Sequence, residues 1–451
     1  MILQRAVEPV ELTGALAHFW QLSEAKLLKL SERHKETDAP PVHTVAGQYL
    51  PRPWTDWTRG FHHGSLLLQF EATGDRRFFE FGRERTLGEM GPHLTDFAVH
   101  DHGFNIVSTY GNLWRLANRA GTAESQFELR LYEQALRVSG AVQAKRWAPL
   151  GDEGGYIYSF NGTHSLFVDS IRTLRSLALG HLFGQSLRDE AGHEARLIDR
   201  LRHHLLSTAR YNVYYGEGRD IYDIPGRVVH EALFNSENGS FRAPSTQQGY
   251  SPFSTWSRGL AWAVLGFAEQ LEFLRYIGAE GDDMAGRAMQ AAMVTAEYYI
   301  DEASAADGVP YWDTGPPGLS EIGDWRAAPA DPFNPHEPVD SSAAAIAAQG
   351  LLRLGCYLGE QRYVAAGLKV ADTLFKAPYL SESHEHEGLL LHSIYHRPRG
   401  WDYVPPGRTV PCGEATMWGD YHARELALCV GALARSEALP TFFTPTKGSA
   451  S

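Results

Sequence analysis

The stretch HDHGFNIVSTYGNLW, residues 100–114, begins with polar residues and continues as a strongly apolar run. Five other stretches have the same form, a polar or small start followed by an Ala- or Leu-rich body: WTRGFHHGSLLLQF, FVDSIRTLRSLALG, WSRGLAWAVLGF, VDSSAAAIAAQGLL and WGDYHARELALCVGAL. Apolar residues at helical spacing over this length indicate helices. The pattern therefore predicts six apolar helices distributed over the whole chain.

Each apolar helix is followed by a more polar, amphipathic helix, such as LYEQALRVSGAVQAKR or YVAAGLKVADTLFKA. Runs with strand-like alternation are nearly absent. Apolar helices that alternate with amphipathic ones are expected of an inner and an outer helical ring. The sequence predicts an all-α fold, an (α/α)6 barrel, with residues 1–451 as a single catalytic domain and the Gly- and Pro-rich stretch 313–338 as a surface loop.

The amino-acid composition of the chain limits the kinds of molecule that it is expected to bind. The chain has 451 residues, of which 43% are hydrophobic, and a formal net charge of -13 without a basic block, which argues against nucleic-acid binding. Its start lacks the pattern of a signal peptide, and no stretch reaches the roughly 18 to 20 apolar residues that cross a bilayer. We therefore expect a cytoplasmic protein with a small-molecule substrate and no membrane partner; the sequence leaves the oligomeric state open.

If the apolar helices form an inner ring, all of them begin at the same rim, because consecutive helices run antiparallel. Polar or aromatic residues from six distant stretches would then surround one concave mouth: Trp57, Asp101, Asp169, Arg258, Asp340 and Asp420. The alternative is structural, since an aspartate before an apolar run is a preferred helix N-cap. Capping or loop anchoring is the favoured interpretation for Asp340 and Asp420.

Two histidine-rich stretches raise the question of a metal. His100 and His102 are two residues apart, so on a helix they point in different directions and lack the usual spacing of metal ligands. HEHE, residues 384–387, has no apolar wall around it and is typical of a solvated loop. The sequence predicts neither a metal nor a cofactor.

The strings HDHGF, WSRGLAWAVLGF, VDSSAAAIAAQGLLRL, LLLHSIYH and WGDY resemble, in order and across most of the chain, the unsaturated glucuronyl hydrolases of glycoside hydrolase family 88. The resemblance implies an (α/α)6 barrel that removes the unsaturated uronic acid left by polysaccharide lyases at a non-reducing end. Family 105, the unsaturated rhamnogalacturonyl hydrolases, shares the fold and chemistry and is the nearest alternative.

The resemblance also implies site residues. It makes Asp169 and Asp101 the catalytic carboxylates and assigns substrate binding to six others: Trp57, His100, Trp147, His230, Gln248 and Arg258. Members that prefer sulfated fragments carry a Ser-x-x-Ser-x-Lys run. The corresponding SIYHRPR, which begins at Ser393, lacks the second serine and the lysine, so the sequence does not predict a sulfate preference.

Two carboxylates in one pocket can take different roles in a reaction, because burial and mutual repulsion raise the pKa of one while the other stays ionised. The substrate's C4=C5 bond belongs to a vinyl ether that must be protonated at C4 before water adds at C5. We expect Asp169 to donate this proton and then to activate the water, with Asp101 orienting the water or tuning Asp169. A sugar epimerase on the same barrel, which uses histidines as acid and base, and a non-catalytic helical scaffold stay open as alternatives.

Overall fold

In the computed structural model of the protein, the chain is described over residues 1–3, 6–33, 39–51, 56–120, 125–151, 154–188 and 190–443. Its α-helices in chain order are α1 (Thr13–Arg33), α2 (Arg59–Thr73), α3 (Arg76–Glu89), α4 (His102–Ile106), α5 (Asn112–Ala120), α6 (Gln126–Lys145), α7 (Ser170–Thr173), α8 (Arg175–Leu182), α9 (Leu197–Tyr211), α10 (Ser257–Tyr276), α11 (Asp283–Tyr298), α12 (Leu319–Ile322), α13 (Ser341–Leu358), α14 (Gln361–Leu374) and α15 (Met417–Ala434).

The helices form two concentric rings. The inner ring consists of α2, the α4–α5 helix, the α7–α8 helix, α10, α13 and α15, each of which packs against the next, and α15 closes the ring against α2. A π-helical turn, Val107–Gly111, joins α4 to α5. All six predicted apolar stretches lie on this inner ring. The predicted all-α double ring is confirmed.

The outer ring consists of α3, α6, α9, α11 and α14, each placed after its inner helix in the chain, together with α1. Here the structure differs from the expected alternation, because no outer helix follows α15 within the described residues. Instead α1, from the other end of the chain, packs against both α15 and α2. The barrel is therefore closed by its first helix.

The inner helices are buried on every side. In α13, every residue from 341 to 355 is buried, as expected of a helix that is apolar around its whole circumference. Glycines let these helices approach closely: a Cβ atom on Gly103 would lie 2.3 Å from the Cα atom of Thr173. Gly103 thus brings α4 against α7, and with them the two helix starts that carry Asp101 and Asp169.

Short antiparallel strands, which the sequence did not reveal, lie in the connections between helices. They are β1 (Pro41–Val45), β2 (Gln48–Pro51), β3 (Trp147–Pro149), β4 (Gly155–Ile157), β5 (Ser165–Phe167), β6 (Ser186–Arg188), β7 (Glu194–Arg196), β8 (Glu231–Phe234) and β9 (Phe241–Ser245). With three to five residues each, they are too short for a clear period-2 pattern. The sheet β5-β8-β9 pairs Phe167 with Glu231 and positions the segments that precede α7 and contain His230.

The stretch 313–338 is more than the predicted surface loop. It contains α12, and Leu319, Trp325 and Ala330 are buried in a hydrophobic cluster with residues of α1, α13 and α14. The apolar residues between its prolines account for this burial. In the described ranges, no helix combines the length and apolar composition that a membrane crossing requires.

Candidate active site

A cavity opens at the rim where the inner helices begin. Its walls are mostly aromatic and come from several connections: Trp57, Phe104, Phe160, Phe167, Trp256, Trp262, Tyr395 and Trp401. The titratable side chains that line it include both Asp101 and Asp169. The structure therefore brings together two carboxylates that are far apart in the sequence.

Asp169 lies between β5 and the start of α7. The backbone N–H of the preceding Val168 donates to the carbonyl of His230 at 2.9 Å, which holds the two chain segments side by side. Oδ1 of Asp169 is buried and has no hydrogen-bond partner within the described part of the chain. Burial raises the pKa of Asp169 to about 7, and its own backbone N–H and the charge of Arg258 only partly offset this.

Asp101 directly precedes α4 and is buried. Burial, followed by the negative charge of Asp169, raises the pKa of Asp101 to about 8, although Arg146 acts in the opposite direction. The two carboxyls interact, so their protons are lost in steps that belong to the pair. Around neutral pH the pair carries at least one proton inside the cavity.

Neither carboxylate acts as a helix cap. Asp101 and Asp169 occupy N-cap positions, but their side chains make no capping hydrogen bond in the described residues. By contrast, the side chain of Asp340 accepts from the backbone N–H groups of Ser342 and Ala343. Capping explains Asp340, whereas it does not explain Asp101 or Asp169.

Two neutral histidines face the acids. Nε2 of His100 lies 3.7 Å from Oδ1 of Asp101, and Nε2 of His230 lies 3.8 Å from Oδ1 of Asp169. Burial lowers the pKa of His230 to about 3, and burial together with Arg146 lowers the pKa of His100 well below its usual value. Both rings are therefore uncharged at neutral pH. Of these two, only His100 is among the residues that line the cavity.

Arg258 and Gln248 line the cavity as expected, but the structure gives Arg258 a different role. Its Nη1 donates to Oδ2 of Asp340 at 3.0 Å and to the carbonyl of Ile394, and its Nη2 donates to Oε1 of Gln248 at 2.9 Å and to the carbonyl of Tyr395 at 2.8 Å. A guanidinium has four Nη hydrogens, and all four have acceptors here. The Nη groups of Arg258 are therefore not available to bind a substrate carboxylate, which is the role that the sequence predicted.

Of the two tryptophans predicted to stack on a sugar, one lines the cavity and the other does not. Trp57 lines the cavity and stacks on Trp418, with ring centroids 5.2 Å apart. Trp147 lies outside the cavity, on β3, where the guanidinium of Arg200 sits 4.0 Å from its ring centroid and His203 contacts its edge. Phe160, which lies between β4 and β5, lines the cavity instead.

Asp420 does not line the cavity either. Its carboxylate accepts the backbone N–H groups of Leu389 and Leu390, so it anchors the loop before α15, as the favoured interpretation expected. The HEHE stretch is only half solvated: His384 is exposed, but Glu387 is buried and accepts the backbone N–H of Tyr49. The burial of Glu387 corrects the prediction of a wholly solvated loop.

His102 points away from the cavity, as its spacing from His100 predicts. Its Nδ1 contacts the hydroxyl of Ser139 on α6, and its Nε2 contacts the carbonyl of Asp96. Over the described ranges, no group of three or more His, Cys, Asp or Glu side chains is arranged to hold a metal ion.

Several lining residues were missed by the sequence interpretation: Phe160, Gln247, Trp256, Tyr395, His396, Arg399 and Trp401. They belong to loops between the rings, where no periodicity points to them. Four of them had a signal in the quoted strings: Trp256 begins WSRGLAWAVLGF, Tyr395 and His396 end LLLHSIYH, and Arg399 ends SIYHRPR.

Comparison with known proteins finds no matching family model. Among curated proteins, the chain is 28% identical over 424 residues to an unsaturated glucuronyl hydrolase from Bacillus sp. (strain GL1), covering 91% of this chain and 96% of that one. It is 24% identical over 414 residues to an unsaturated chondroitin disaccharide hydrolase from Streptococcus pyogenes serotype M1, covering 89% and 88% of the two chains. These relatives confirm the resemblance inferred from the sequence.

Solved structures match the fold over almost the whole chain. The unsaturated glucuronyl hydrolase from Streptococcus agalactiae superposes with a TM-score of 0.71 at 20% identity, covering 98% of this chain and 95% of that one. The enzyme from Bacillus sp. GL1 gives a TM-score of 0.68 at 24% identity, covering 95% and 100%. At these identities the structures show that the fold is shared.

Proposed function

We propose that this chain is a glycoside hydrolase that releases a 4,5-unsaturated uronic acid from the non-reducing end of oligosaccharides produced by polysaccharide lyases. The observation that carries the proposal is a pair of carboxylates at one aromatic cavity, of which Asp101 is buried and Asp169 is half-buried. Homology supports it, because relatives over most of the chain carry this activity in their names.

Asp169 is the proposed acid. The substrate contains a vinyl ether, and its carbon C4 is a weak base that needs a positioned proton donor. A pKa of about 7 lets a carboxyl donate a proton and then accept one at neutral pH. Burial is the largest cause of this raised pKa.

The reaction is a hydration. Asp169 transfers its proton to C4, and positive charge develops at C5, where the ring oxygen stabilises it. Water attacks C5 and gives its proton to the Asp169 carboxylate, which restores the acid. The resulting hemiketal opens, the hemiacetal at C1 collapses, and the linked sugar leaves with a hydrogen on its oxygen. The glycosidic bond therefore breaks indirectly.

The neighbouring groups orient this chemistry. Because Nδ1 of His230 accepts the backbone N–H of Gln247 at 3.0 Å, its proton is on Nε2, the nitrogen that faces Asp169. At 3.8 Å this N–H makes no hydrogen bond to Asp169, so His230 is an uncharged ring beside the acid and not its hydrogen-bond partner. Asp101, protonated near neutral pH, can donate a hydrogen bond to the water or to a sugar hydroxyl.

Substrate binding is assigned to the cavity walls and to Gln248. Trp57 and the other aromatic rings offer flat apolar faces to the sugar ring. Since Oε1 of Gln248 accepts from Arg258, its NH2 group is the end that can donate to the uronate carboxylate. Arg258 is then a positioning residue that acts through Gln248.

The site chemistry favours hydration over an epimerase. An epimerase on this barrel would use its histidines as acid and base, but the pKa values of His100 and His230 lie below the working range because both rings are buried. Among the described residues that line the cavity, the groups whose pKa is raised to near neutral pH are the two aspartates.

We further assign the chain to glycoside hydrolase family 88 and to the cytoplasm, acting without a metal or cofactor. The family assignment rests on the sequence motifs, and the cytoplasmic assignment rests on the three cysteines, which form no disulfide.

A screen of lyase-generated oligosaccharides tests the proposal, with the loss of the ultraviolet absorbance of the conjugated enol ether as the readout. The panel includes glycosaminoglycan, gellan, xanthan, ulvan, alginate and rhamnogalacturonan fragments, so that it also covers the family 105 activity. We expect turnover of at least one unsaturated uronide and none of its saturated equivalent. Cleavage of saturated glucuronides with comparable efficiency would contradict the proposal in favour of a conventional two-carboxylate hydrolase.

A further inference from the structure

The loop between β9 and α10, residues 246–256, forms one wall of the cavity. Three of its residues line the cavity: Gln247, Gln248 and Trp256. The loop also contacts the site through its backbone, because the N–H of Gln247 donates to Nδ1 of His230 at 3.0 Å. The place of Gln248 and the tautomer of His230 thus both depend on how this loop is held.

A carboxylate holds the middle of this loop from outside the cavity. Asp313, in the connection between α11 and α12, is 1% exposed, and its Oδ2 accepts the backbone N–H of Tyr250 at 2.8 Å. Its Oδ1 accepts the N–H of Gly315 at 2.9 Å, which fixes the carboxylate to its own turn. Asp313 is not among the described residues that line the cavity. Its contact with the site runs through the loop backbone, two residues from Gln248.

Asp313 is a carboxylate at neutral pH. Burial raises its pKa to about 6, and hydrogen bonds from the hydroxyl of Ser254 and from backbone N–H groups act in the opposite direction. A hydrogen bond to an ionised acceptor is stronger than one to a neutral acceptor. Asp313 therefore holds the N–H of Tyr250 more firmly than a backbone carbonyl in the same place would.

The loop approaches Asp313 closely because position 249 has no side chain. A Cβ atom on Gly249 would lie 2.8 Å from Oγ1 of Thr246 and 2.9 Å from Oδ2 of Asp313. Gly249 lies between Gln248 and Tyr250. A side chain at this position would separate the loop from the carboxylate.

The other end of the loop is held by separate contacts. The backbone N–H of Thr314 donates to the carbonyl of Thr255 at 3.0 Å, and Oγ1 of Thr314 accepts the N–H of Thr255 at 2.9 Å. Trp312 packs with Trp256 and Ile394 in a small buried cluster. These contacts remain when the carboxylate of Asp313 is removed, so its loss acts on the end of the loop that carries Gln248.

From this arrangement, and resting on the function proposed above, we propose that Asp313 is a positioning residue for substrate binding, which holds Tyr250 so that Gln248 presents its amide to the uronate carboxylate. Arg258 fixes the side chain of Gln248 by donating to its Oε1 at 2.9 Å, and Asp313 fixes the backbone beside it. The amide is then oriented before the substrate binds. A pre-organised donor loses less conformational entropy on binding.

Asp313→Asn tests the proposal with little change in side-chain shape. The amide has one oxygen instead of two, so either Tyr250 or Gly315 faces an NH2 group that cannot accept. With an unsaturated uronic-acid disaccharide at neutral pH, we expect KM to rise by about 3- to 10-fold and kcat to change by less than about 2-fold, because binding common to the ground and transition states is lost. Gln248→Ala, which removes the donor itself, raises KM by about 10-fold.

The double variant separates positioning from general damage. If Asp313 acts through Gln248, its loss has no further effect once the amide is gone, so the KM of Asp313→Asn/Gln248→Ala equals that of Gln248→Ala within about 2-fold. Thermal unfolding shows whether each variant is folded. Effects on KM that multiply in the double variant would overturn the inference, as would an unchanged KM in Asp313→Asn.

Two further variants complete the test. Asp331→Asn is the matched control, because exposed Asp331 lies in the same stretch 313–338 and its carboxylate accepts the backbone N–H of Phe333 at 2.8 Å. It leaves KM unchanged. Gly249→Ala displaces the loop with the carboxylate intact, raises KM and adds nothing to Gln248→Ala; it takes the place of Asp313→Asn in the double variant if that protein does not fold.

The outcomes separate the two proposals. A wild-type protein that turns over none of the unsaturated disaccharides overturns the proposed function and this inference with it. Turnover by the wild type, together with independent effects of Asp313→Asn and Gln248→Ala on KM, overturns the inference alone.

Discussion

Nε2 of His230 lies 3.8 Å from Oδ1 of Asp169, because β5 pairs with β8 and the backbone N–H of Val168 donates to the carbonyl of His230. The backbone N–H of Gln247 occupies Nδ1 of the same ring, so the imidazole faces Asp169 as a neutral N–H donor. Backbone hydrogen bonds therefore position the acid and the imidazole beside it before any substrate enters.

Replacing Asp169 by Asn keeps the shape of the side chain and removes the transferable proton. We expect activity to fall by at least about 10²- to 10⁴-fold, the usual cost of losing general acid–base catalysis. Steady-state turnover of an unsaturated disaccharide measures this loss, and thermal unfolding checks that the fold is intact. A folded variant that keeps most of its turnover would show that the acid is elsewhere.

The pH dependence follows from the same group. Asp169 must be protonated to act, and its pKa of about 7 means that kcat/KM falls as the pH rises through about 7. Asp101→Asn lowers activity severely but leaves this basic limb near the same pH, because burial is the largest cause of the raised pKa of Asp169. A limb displaced by a full unit in Asp101→Asn would show that the charge of Asp101 sets the pKa of Asp169 instead.

The two tryptophans provide a matched pair. Trp57 lines the cavity, whereas Trp147 packs against Arg200 on the outside. We expect Trp57→Ala to raise KM by about 10-fold, the equivalent of 1.4 kcal/mol of lost stacking, and Trp147→Ala to leave KM unchanged. Equal effects on KM in the two variants would place Trp147 in the substrate site after all.

Replacing Asp340 is expected to destabilise the protein by more than the loss of a helix cap does. Besides capping α13, it pairs with Arg258 at 3.0 Å in a fully buried position. Removing one partner of a buried ion pair costs about 3 to 5 kcal/mol, whereas losing an exposed cap costs about 1 kcal/mol. We expect Asp340→Ala to lower the free energy of unfolding by the larger amount and Ser125→Ala, at the exposed cap of α6, by the smaller one. Denaturant unfolding measures both, and equal losses would leave Asp340 as a cap alone.

Much of the fold was predictable because its signal is local. The inner helices are long and apolar, as in the stretch that begins at His100, and this pattern can be recognised in a single sequence. The closure of the barrel by α1 was not predictable, since it depends on packing between opposite ends of the chain. Strands of three to five residues carry too little periodicity to be found.

The residues of the candidate site also fall into those that the sequence could predict and those that it could not. Asp101 and Asp169 stand at the starts of inner helices, which the sequence predicts to meet at one rim. It could therefore be predicted that the two carboxylates lie near one another. Arg258 could not be assigned correctly, because its acceptors Asp340 and Ile394 are 82 and 136 residues away in the chain. The loop with Arg399 carries no periodic signal at all, and only the structure places it on the cavity wall.

The central claim is hydration of the C4=C5 bond with a proton delivered by Asp169, and turnover in heavy water tests it most directly. The carboxyl proton exchanges with solvent between cycles, so the product analysed by nuclear magnetic resonance soon after mixing must carry one deuterium at C4. Product formed in ordinary water and then transferred to heavy water gives the background exchange next to the ketone. Early product with deuterium at C4 in excess of that background is the predicted result, and product without it would contradict the account.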